Sequence, residues 1–292
     1  MMPTRRDLRF NLPAEKISDW HGDGKHITAF LNSLSMLFPE GERFFMDSVR
    51  NYRDQITDPE LKKAVTAFIG QEAMHGREHE EYNDALFATS PSAAKMERFV
   101  AGLLGLGQKA LPKSTQLGIT IALEHFTAIM ADGLLQDERI LDKADPSFQK
   151  IWNWHALEET EHKAVAYDVW ATVMGKNPVR YSERAGTLLL ATALLWPIVG
   201  ITYLNILREQ GELSNAKGWR TFMRFTFGEI GYFRKMALNW AEYFKPGFHP
   251  WDQDNRHFLD QIDTLVAEVN AKPAPKRVAK SRTKKAATKA AA

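Results

Sequence analysis

Apolar and polar residues along most of this chain recur at the three- and four-residue spacing that is typical of amphipathic helices. The period-two alternation of a half-buried β-strand is not convincing anywhere in the sequence. Clusters of proline, glycine and aspartate separate the helical stretches. Two of them, Asp58-Pro59 and Asp145-Pro146, indicate helix starts, because aspartate caps a helix and proline fits its first turn. The pattern therefore predicts an all-α protein.

The same punctuation predicts where the elements begin and end. A proline and a glycine at 39–41 predict a break or a kink within the first helical stretch. The expected helical stretches cover residues 26–55, 59–87, 92–111, 112–142 and 147–174. We divide the whole chain into an N-terminal arm (1–25), a helical bundle (26–180), C-terminal helices packed on that bundle (181–270) and a tail (271–292).

One stretch, residues 185–207, carries no charged side chain and lies between Arg184 and Arg208. Its length could cross the hydrocarbon layer of a membrane. It also contains Pro197 and Gly200, which interrupt a simple membrane span. A buried core helix, a membrane-embedded or interfacial hairpin, and a true span all stay open as interpretations.

The segment from 212 to 271 is rich in aromatic and basic residues, and its rings recur near helical spacing. This pattern predicts core packing, because large rings bury much apolar surface. A hydrophobic substrate tunnel or a membrane-facing surface is the alternative. Together with residues 185–207, the segment favours an apolar or lipid-like small molecule as the partner.

Cysteine is absent from the 292 residues, which excludes disulfides, thiolate metal sites and a cysteine nucleophile. The absence also fits a reducing cytosol. The charged N-terminal residues 1–9 lack the apolar core of a signal peptide. We therefore expect a cytoplasmic protein, with membrane association left open.

The formal net charge of +2 hides an uneven distribution. Residues 271–292 contain eight basic residues and no acidic residue. Such a composition cannot bury a core, so the tail is expected to be disordered. It could be a basic arm for an anionic membrane or for nucleic acid, or it could serve only solubility.

Two Glu-x-x-His motifs, each preceded by a lone glutamate, are the strongest chemical signal in the sequence. Residues three apart on a helix share a face, so each motif directs a carboxylate and an imidazole the same way. In a four-helix bundle, this order of residues places a two-metal carboxylate site at the centre. The six candidate ligands are Glu42, Glu72, His75, Glu124, Glu159 and His162.

The residue types suit a pair of divalent cations. Several carboxylates neutralise and bridge two cations that repel each other, and neutral imidazoles leave coordination positions open. Glu124 also lies between Ile121 and Phe126 in an apolar stretch, where an unpaired carboxylate would be costly to bury. We expect two divalent metal ions, iron in the first place and manganese as the alternative.

Further residues near the motifs are candidates for an extra ligand or for an outer hydrogen-bonding partner. His79 and His155 share helix faces with the motifs, and Glu158 forms a Glu-x-x-x-His pair with His162. Glu40 competes with Glu42 for the first ligand position. His125 follows Glu124 and points about a quarter-turn away, as helical geometry requires.

Three sequence segments carry a resemblance to a known family. These are Phe-Pro-Glu-Gly-Glu-Arg-Phe-Phe at 38–45, the Glu-Ala-Met-His and Glu-Glu-Thr-Glu-His motifs, and Phe-Lys-Pro-Gly-Phe-His-Pro-Trp at 244–251. With them the chain resembles a bacterial family of predicted metal-dependent hydrolases over residues 10–254. The ligand order is also similar to that of ferritin-like di-iron proteins. That resemblance implies a ferritin-like four-helix bundle core and makes the six candidates above its metal ligands.

Three functions follow as hypotheses. The first is a di-iron oxidoreductase that activates oxygen on an apolar or lipid-like substrate. The second is a metal-dependent hydrolase in which a bridging hydroxide attacks an ester or a phosphoester. The third is a non-enzymatic protein that binds metal or a membrane.

Overall fold

The computed structural model describes residues 1–175 and 177–271, and its architecture is built from helices. Within these residues no β-strand is formed, which confirms the predicted all-α class. The helices are α1 (Lys25–Ser35), α2 (Phe38–Arg50), α3 (Pro59–Thr89), α4 (Pro91–Ala110), α5 (Lys113–Gln136), α6 (Pro146–His162), α7 (Val165–Met174), α8 (Pro178–Glu209), α9 (Ala216–Thr226), α10 (Tyr232–Glu242) and α11 (Ile262–Asn270). Short 3₁₀ turns lie at Ala14–Lys16, Arg53–Gln55, Glu138–Ile140, Pro250–Asp252 and Arg256–Gln261.

The two Asp-Pro pairs begin helices as the sequence predicts. The Asp58 side chain accepts the backbone N–H of Glu60 at the start of α3. Asp145 accepts the N–H of Ser147 in the same way at the start of α6. Each aspartate thus satisfies one of the amide groups that a helix leaves free in its first turn.

Two expected helical stretches are each divided in the structure. The first ends as α1 at Ser35, and α2 begins at Phe38, so Pro39 lies in the first turn of a new helix. The predicted break therefore forms at 36–37, and the proline causes no kink, because its missing N–H is not needed in a first turn. Glu42 consequently lies within a regular helix. The last stretch is divided at 163–164, where α6 gives way to α7.

Four helices surround a common interior. Helix α2 packs against α3 and α5, and α6 packs against α5 and α3. Each of these helices carries one or two of the six candidate ligand positions on its inward side. The apolar core continues on either side of this interior, with Phe44, Phe68 and Val169 in one cluster and Phe30, Phe126 and Trp154 in another.

The C-terminal helices cover one side of this arrangement. Helix α8 runs along α1, α4 and α5, while α9 packs on α1 and α10 packs on α5 and α9. Their rings meet the core as the sequence predicts, since Phe30 contacts Phe222 and Phe233 with ring centroids 5.6 Å apart in each pair. Apart from Ala271, the tail expected to be disordered lies outside the described residues.

Two helices are long and apolar enough to cross a membrane by length and composition alone. Their surroundings differ sharply. The apolar stretch of α5 is 89% buried within the protein, so α5 is a core helix. The corresponding stretch of α8 is only 33% buried, and this helix contains the whole uncharged segment 185–207.

Candidate metal centre

All six candidate ligands from the sequence converge in the interior between α2, α3, α5 and α6. Each of these side chains is buried, with at most 3% of the residue exposed to solvent. Helix α2 supplies one glutamate and α5 another, while α3 and α6 each supply a glutamate and a histidine. They are Glu42, Glu72, His75, Glu124, Glu159 and His162.

Their donor atoms form three overlapping groups, each compact enough to hold one cation. Within a group, the carboxylate oxygens and imidazole nitrogens all lie within 4.8 Å of one another. The groups share members, so they form one continuous cluster rather than separate sites. They are Glu42 with His75 and His155, Glu72 with His75 and Glu159, and Glu72 with Glu124 and His162.

The hydrogen bonding of these atoms tests whether a metal fits. Within the described part of the chain, both carboxylate oxygens of Glu42, Glu72 and Glu124 are buried without a hydrogen-bond partner. His75 Nδ1 and His162 Nε2 are in the same condition. Buried polar atoms in proteins are almost always hydrogen-bonded, and unpaired buried carboxylates are costly. Carboxylate and imidazole donors suit divalent metals, so the residues fit a metal site.

One short contact supports the same conclusion. His162 Nε2 lies 3.0 Å from Glu72 Oε1, an ion-pair distance. The two atoms nevertheless lack the alignment of a hydrogen bond. A cation held between them would satisfy both, because each presents a lone pair to the same space.

Hydrogen bonds at the outer nitrogens orient the two motif histidines. His75 Nε2 lies 3.1 Å from Glu158 Oε2, which leaves Nδ1 facing the centre, 3.6 Å from Glu159 Oε1. His162 Nδ1 lies 3.0 Å from Gln71 Oε1, which leaves Nε2 facing the centre. Partners of this kind fix the tautomer and the ring orientation of metal-binding histidines.

A third histidine, His155, also faces the centre. The donor group with Glu42 therefore contains two imidazoles, whereas the group with Glu124 contains one. His155 Nε2 lies 3.0 Å from Glu159 Oε1, and its Nδ1 lies 2.8 Å from His79 Nε2. His79 Nδ1 in turn lies 2.8 Å from Ser35 Oγ, whose hydroxyl donates to Asn83 Oδ1. Because the Ser35 hydroxyl donates to Asn83, its oxygen accepts from His79 Nδ1–H, and His79 Nε2 in turn accepts from His155 Nδ1–H. His155 Nε2 therefore presents a lone pair toward the centre.

The other candidates take different places. Glu158 supports His75 from behind and is absent from the three donor groups. His125 is buried and lies 3.1 Å from the backbone oxygen of Asn239. Glu40 is half-buried and pairs with Arg43 on the protein surface. His79 contacts His155 at Nδ1, the nitrogen that faces away from the centre.

A hydrogen-bonded network from the N-terminal arm links the outer partners of both motif histidines. Arg6 Nη1 donates to Glu158 Oε1 at 3.2 Å and to Glu161 Oε2 at 2.9 Å. Gln71 Nε2 donates to the same Glu161 oxygen at 2.6 Å. His75 and His162 are thereby connected through charged groups outside the cluster. Arg6, Gln71 and Glu161 were not predicted from the sequence, where the one available signal was that Glu158 and Glu161 lie three residues apart on α6.

Replacement of Arg6 tests this network. Arg6→Ala leaves Glu158 and Glu161 without their cation, so both histidines lose a fixed orientation. We expect metal affinity to fall by about 10- to 100-fold, the usual effect of losing an outer partner of a metal ligand. Chelator competition followed by metal analysis measures the change. The matched control is Arg5→Ala, an exposed neighbour; equal affinities in the two variants would contradict the role of Arg6.

Protons partly take the place of the cations in the metal-free centre. Burial raises the pKa of the Glu42 and Glu124 carboxyls well above the usual value. Burial opposes a charge on His75, but the neighbouring carboxylates of Glu158 and Glu159 raise its pKa to about 10. Metal binding must displace such protons, so affinity rises with pH.

An apolar cavity of about 370 Å³ leads to the centre between α2, α4, α5 and α8. The charged side chains that line it are Glu42 and Glu159, both members of the cluster. The rest of the wall consists mainly of leucine, phenylalanine and other apolar residues, including Leu103, Ile119 and Leu195. The centre is therefore accessible to an apolar molecule.

Comparison with known proteins places the chain in a family. The sequence model of a family described as predicted metal-dependent hydrolase matches residues 4–254. Searches of curated proteins and of solved structures gave no match. The matched range includes Arg6, all four helices of the centre and the C-terminal helices as far as α10. On this match the chain belongs to the predicted metal-dependent hydrolase family, as the sequence resemblance indicated.

Proposed function

We propose that this protein is a metal-dependent hydrolase that cleaves esters of apolar, lipid-like acyl groups. The observation that carries the proposal is the apolar cavity, which ends at two carboxylates of the metal cluster. The family assignment supports hydrolysis over the oxygen-activating alternative. The three overlapping donor groups support two divalent ions, with iron or manganese as the metals best suited to the donors.

The residues of the chain have distinct parts in this function. Bound divalent ions would supply Lewis acidity and lower the pKa of water at the centre. Glu42 and Glu159 at the inner end of the cavity would hold the ions beside the ester group. The apolar wall binds the acyl chain and excludes bulk water. The series of hydrogen bonds from His155 through His79 to Ser35 keeps the proton of His155 on Nδ1, the ring nitrogen that faces away from the centre.

A chain-length series under argon tests the proposal. The metal-loaded protein should hydrolyse p-nitrophenyl decanoate with kcat/KM at least about tenfold above p-nitrophenyl acetate, because each buried methylene contributes up to about 0.8 kcal/mol. The activity should disappear after chelation and return with added metal. Loss of turnover under argon, or no dependence on metal, would contradict hydrolysis.

Oxygen activation is the second candidate, and one observation favours it. The cluster joins four glutamates to three histidines with no aspartate, and it is reached through apolar walls. Carboxylate-rich sites of this kind in helical bundles hold di-iron and di-manganese centres. Oxygen uptake that depends on a fatty acid, with no ester cleavage under argon, would select this candidate.

A further inference from the structure

The cavity opens on an exposed apolar surface that α4 and α8 form together. The helices run antiparallel: Ser92 at the start of α4 donates to Glu209 at the end of α8, and Ser114, just beyond α4, donates to Glu183 near the start of α8. We call this surface the α4–α8 face. Its exposed apolar side chains are Phe99, Leu106, Leu189, Leu190, Leu194, Ile201 and Leu204.

One side of α8 is turned outward along most of its length. Exposed residues recur at 186, 190, 193, 197, 201 and 204, the spacing of a single helix side. This stripe spans about 27 Å at the rise of an α-helix. Leu188 and Ile206 on the opposite side are fully buried, so the stripe marks the outward side of the helix. Contiguous apolar surfaces of this kind mark interaction sites.

The rim of the cavity belongs to the same face. Leu106, Leu190 and Leu194 line the cavity, yet they are 62%, 43% and 41% exposed. At its inner end the cavity meets Glu42 and Glu159. An apolar molecule can thus pass from the α4–α8 face to the metal centre along an apolar wall.

Basic residues flank both ends of the face. Lys95, Arg98 and Arg208 lie toward the end formed by the start of α4 and the close of α8, and Lys109 and Lys113 lie toward the other end. All five are exposed, and among the described residues none forms an ion pair. Apolar side chains flanked by unpaired cations are complementary to an anionic lipid surface, where rings and aliphatic chains enter the interface and cations meet headgroups.

We propose that the α4–α8 face docks on an anionic lipid surface, so that the cavity opens into the bilayer and takes its substrate from it. The delivery of substrate rests on the proposed hydrolase function, whereas docking does not. A second copy of the chain fits the face less well. Because cations flank both ends, a two-fold interface through this face would bring like charges together.

Site-specific labelling tests which surface meets the lipid. The chain has no cysteine, so one introduced thiol carries an environment-sensitive dye at a single position. Phe99→Cys and Leu189→Cys should give a blue-shifted emission with phosphatidylglycerol-containing vesicles and little change with pure phosphatidylcholine. The matched control is Lys62→Cys, an exposed position on α3, which should show no shift. The basic tail is identical in all three proteins.

A charge variant tests the complementarity. Lys109→Gln should bind anionic vesicles about fivefold more weakly in flotation assays, because one basic residue near such a surface contributes about 1 kcal/mol. Lys62→Gln removes an equal charge from α3 and should bind as the unmodified chain does. Neither residue lines the cavity or belongs to the metal cluster.

The outcomes separate docking from catalysis because neither assay measures turnover. Vesicle binding without a shift at Phe99 and Leu189 would overturn the proposal and assign binding to another part of the chain. A blue shift that depends on protein concentration and not on vesicles would also overturn it, in favour of a second copy. Face-specific docking with no ester hydrolysis would keep the docking surface and reject the proposed function.

Discussion

Glu72→Gln is expected to weaken divalent metal binding by more than about 100-fold. Glu72 is fully buried and belongs to two of the three donor groups, so its loss affects both ends of the cluster. Changes in outer partners alone cost about 10- to 100-fold, and loss of a ligand exceeds that. Metal analysis after dialysis against a chelator buffer, with iron and manganese tested separately, measures the effect.

The same substitution should stabilise the metal-free protein. Burial raises the pKa of the Glu72 carboxyl, although contacts with His162 act in the opposite direction. A carboxyl whose pKa is higher in the folded state costs stability as pH rises above its unfolded value of about 4.3. Glutamine carries no such cost. The gain in free energy of unfolding should therefore be larger at pH 8 than at pH 5, as urea unfolding in a chelator would show.

Glu78→Gln is the matched control, because it makes an equal change at another buried glutamate of α3. Glu78 accepts the backbone N–H of Phe10 and pairs with Arg77 and Arg9, and it lies outside the donor groups. Its replacement should leave metal binding unchanged and lower stability. Full metal occupancy in Glu72→Gln, or equal behaviour of the two variants, would refute the metal centre.

Gly41→Leu is expected to reverse the chain-length preference of ester hydrolysis, with the ratio of kcat/KM for decanoate to that for acetate falling by about tenfold or more. This magnitude follows from the roughly 0.8 kcal/mol that each buried methylene contributes. Gly41 lines the cavity one residue before Glu42. A Cβ atom there would meet only the ring of Phe45, at an ordinary 3.7 Å, so a larger side chain can enter the cavity. Decanoate esters should lose most of their kcat/KM, while acetate esters keep theirs.

The kinetics of two glycine variants measure this effect. Gly102→Leu places an equal side chain on α4 where a Cβ meets nothing within 4 Å, and Gly102 does not line the cavity. It should retain the preference of the unmodified protein. Parallel loss of acetate and decanoate turnover in Gly41→Leu, with metal still bound, would show that the cavity does not hold the acyl chain.

Local signals in the sequence were sufficient for the class of fold and for the six clustered residues. Helix caps such as Asp58 act within a few residues, and a Glu-x-x-His spacing determines a shared face without any distant contact. Of the break or kink expected near Pro39, the structure has the break: α1 ends at Ser35, and this proline is part of the next helix start. Where a helix stops depends on packing that local propensity does not contain.

The remaining features of the centre depend on contacts between distant residues. Glu158 and Glu159 are separated by about 100° around α6, and the packing of that helix decides which one faces the cluster. His155 and Arg6 have partners far away in sequence, at His79 and Glu161. No spacing rule identifies such pairs. The cavity and its exposed rim likewise exist only once α4 and α8 lie side by side.

The salt bridge between Arg6 and Glu161 joins residues that are 155 positions apart. During synthesis Arg6 leaves the ribosome long before Glu161. The N-terminal arm therefore cannot form this salt bridge until α6 has emerged. Maturation of the centre is therefore a late event, and cations captured earlier would meet an incomplete set of donors.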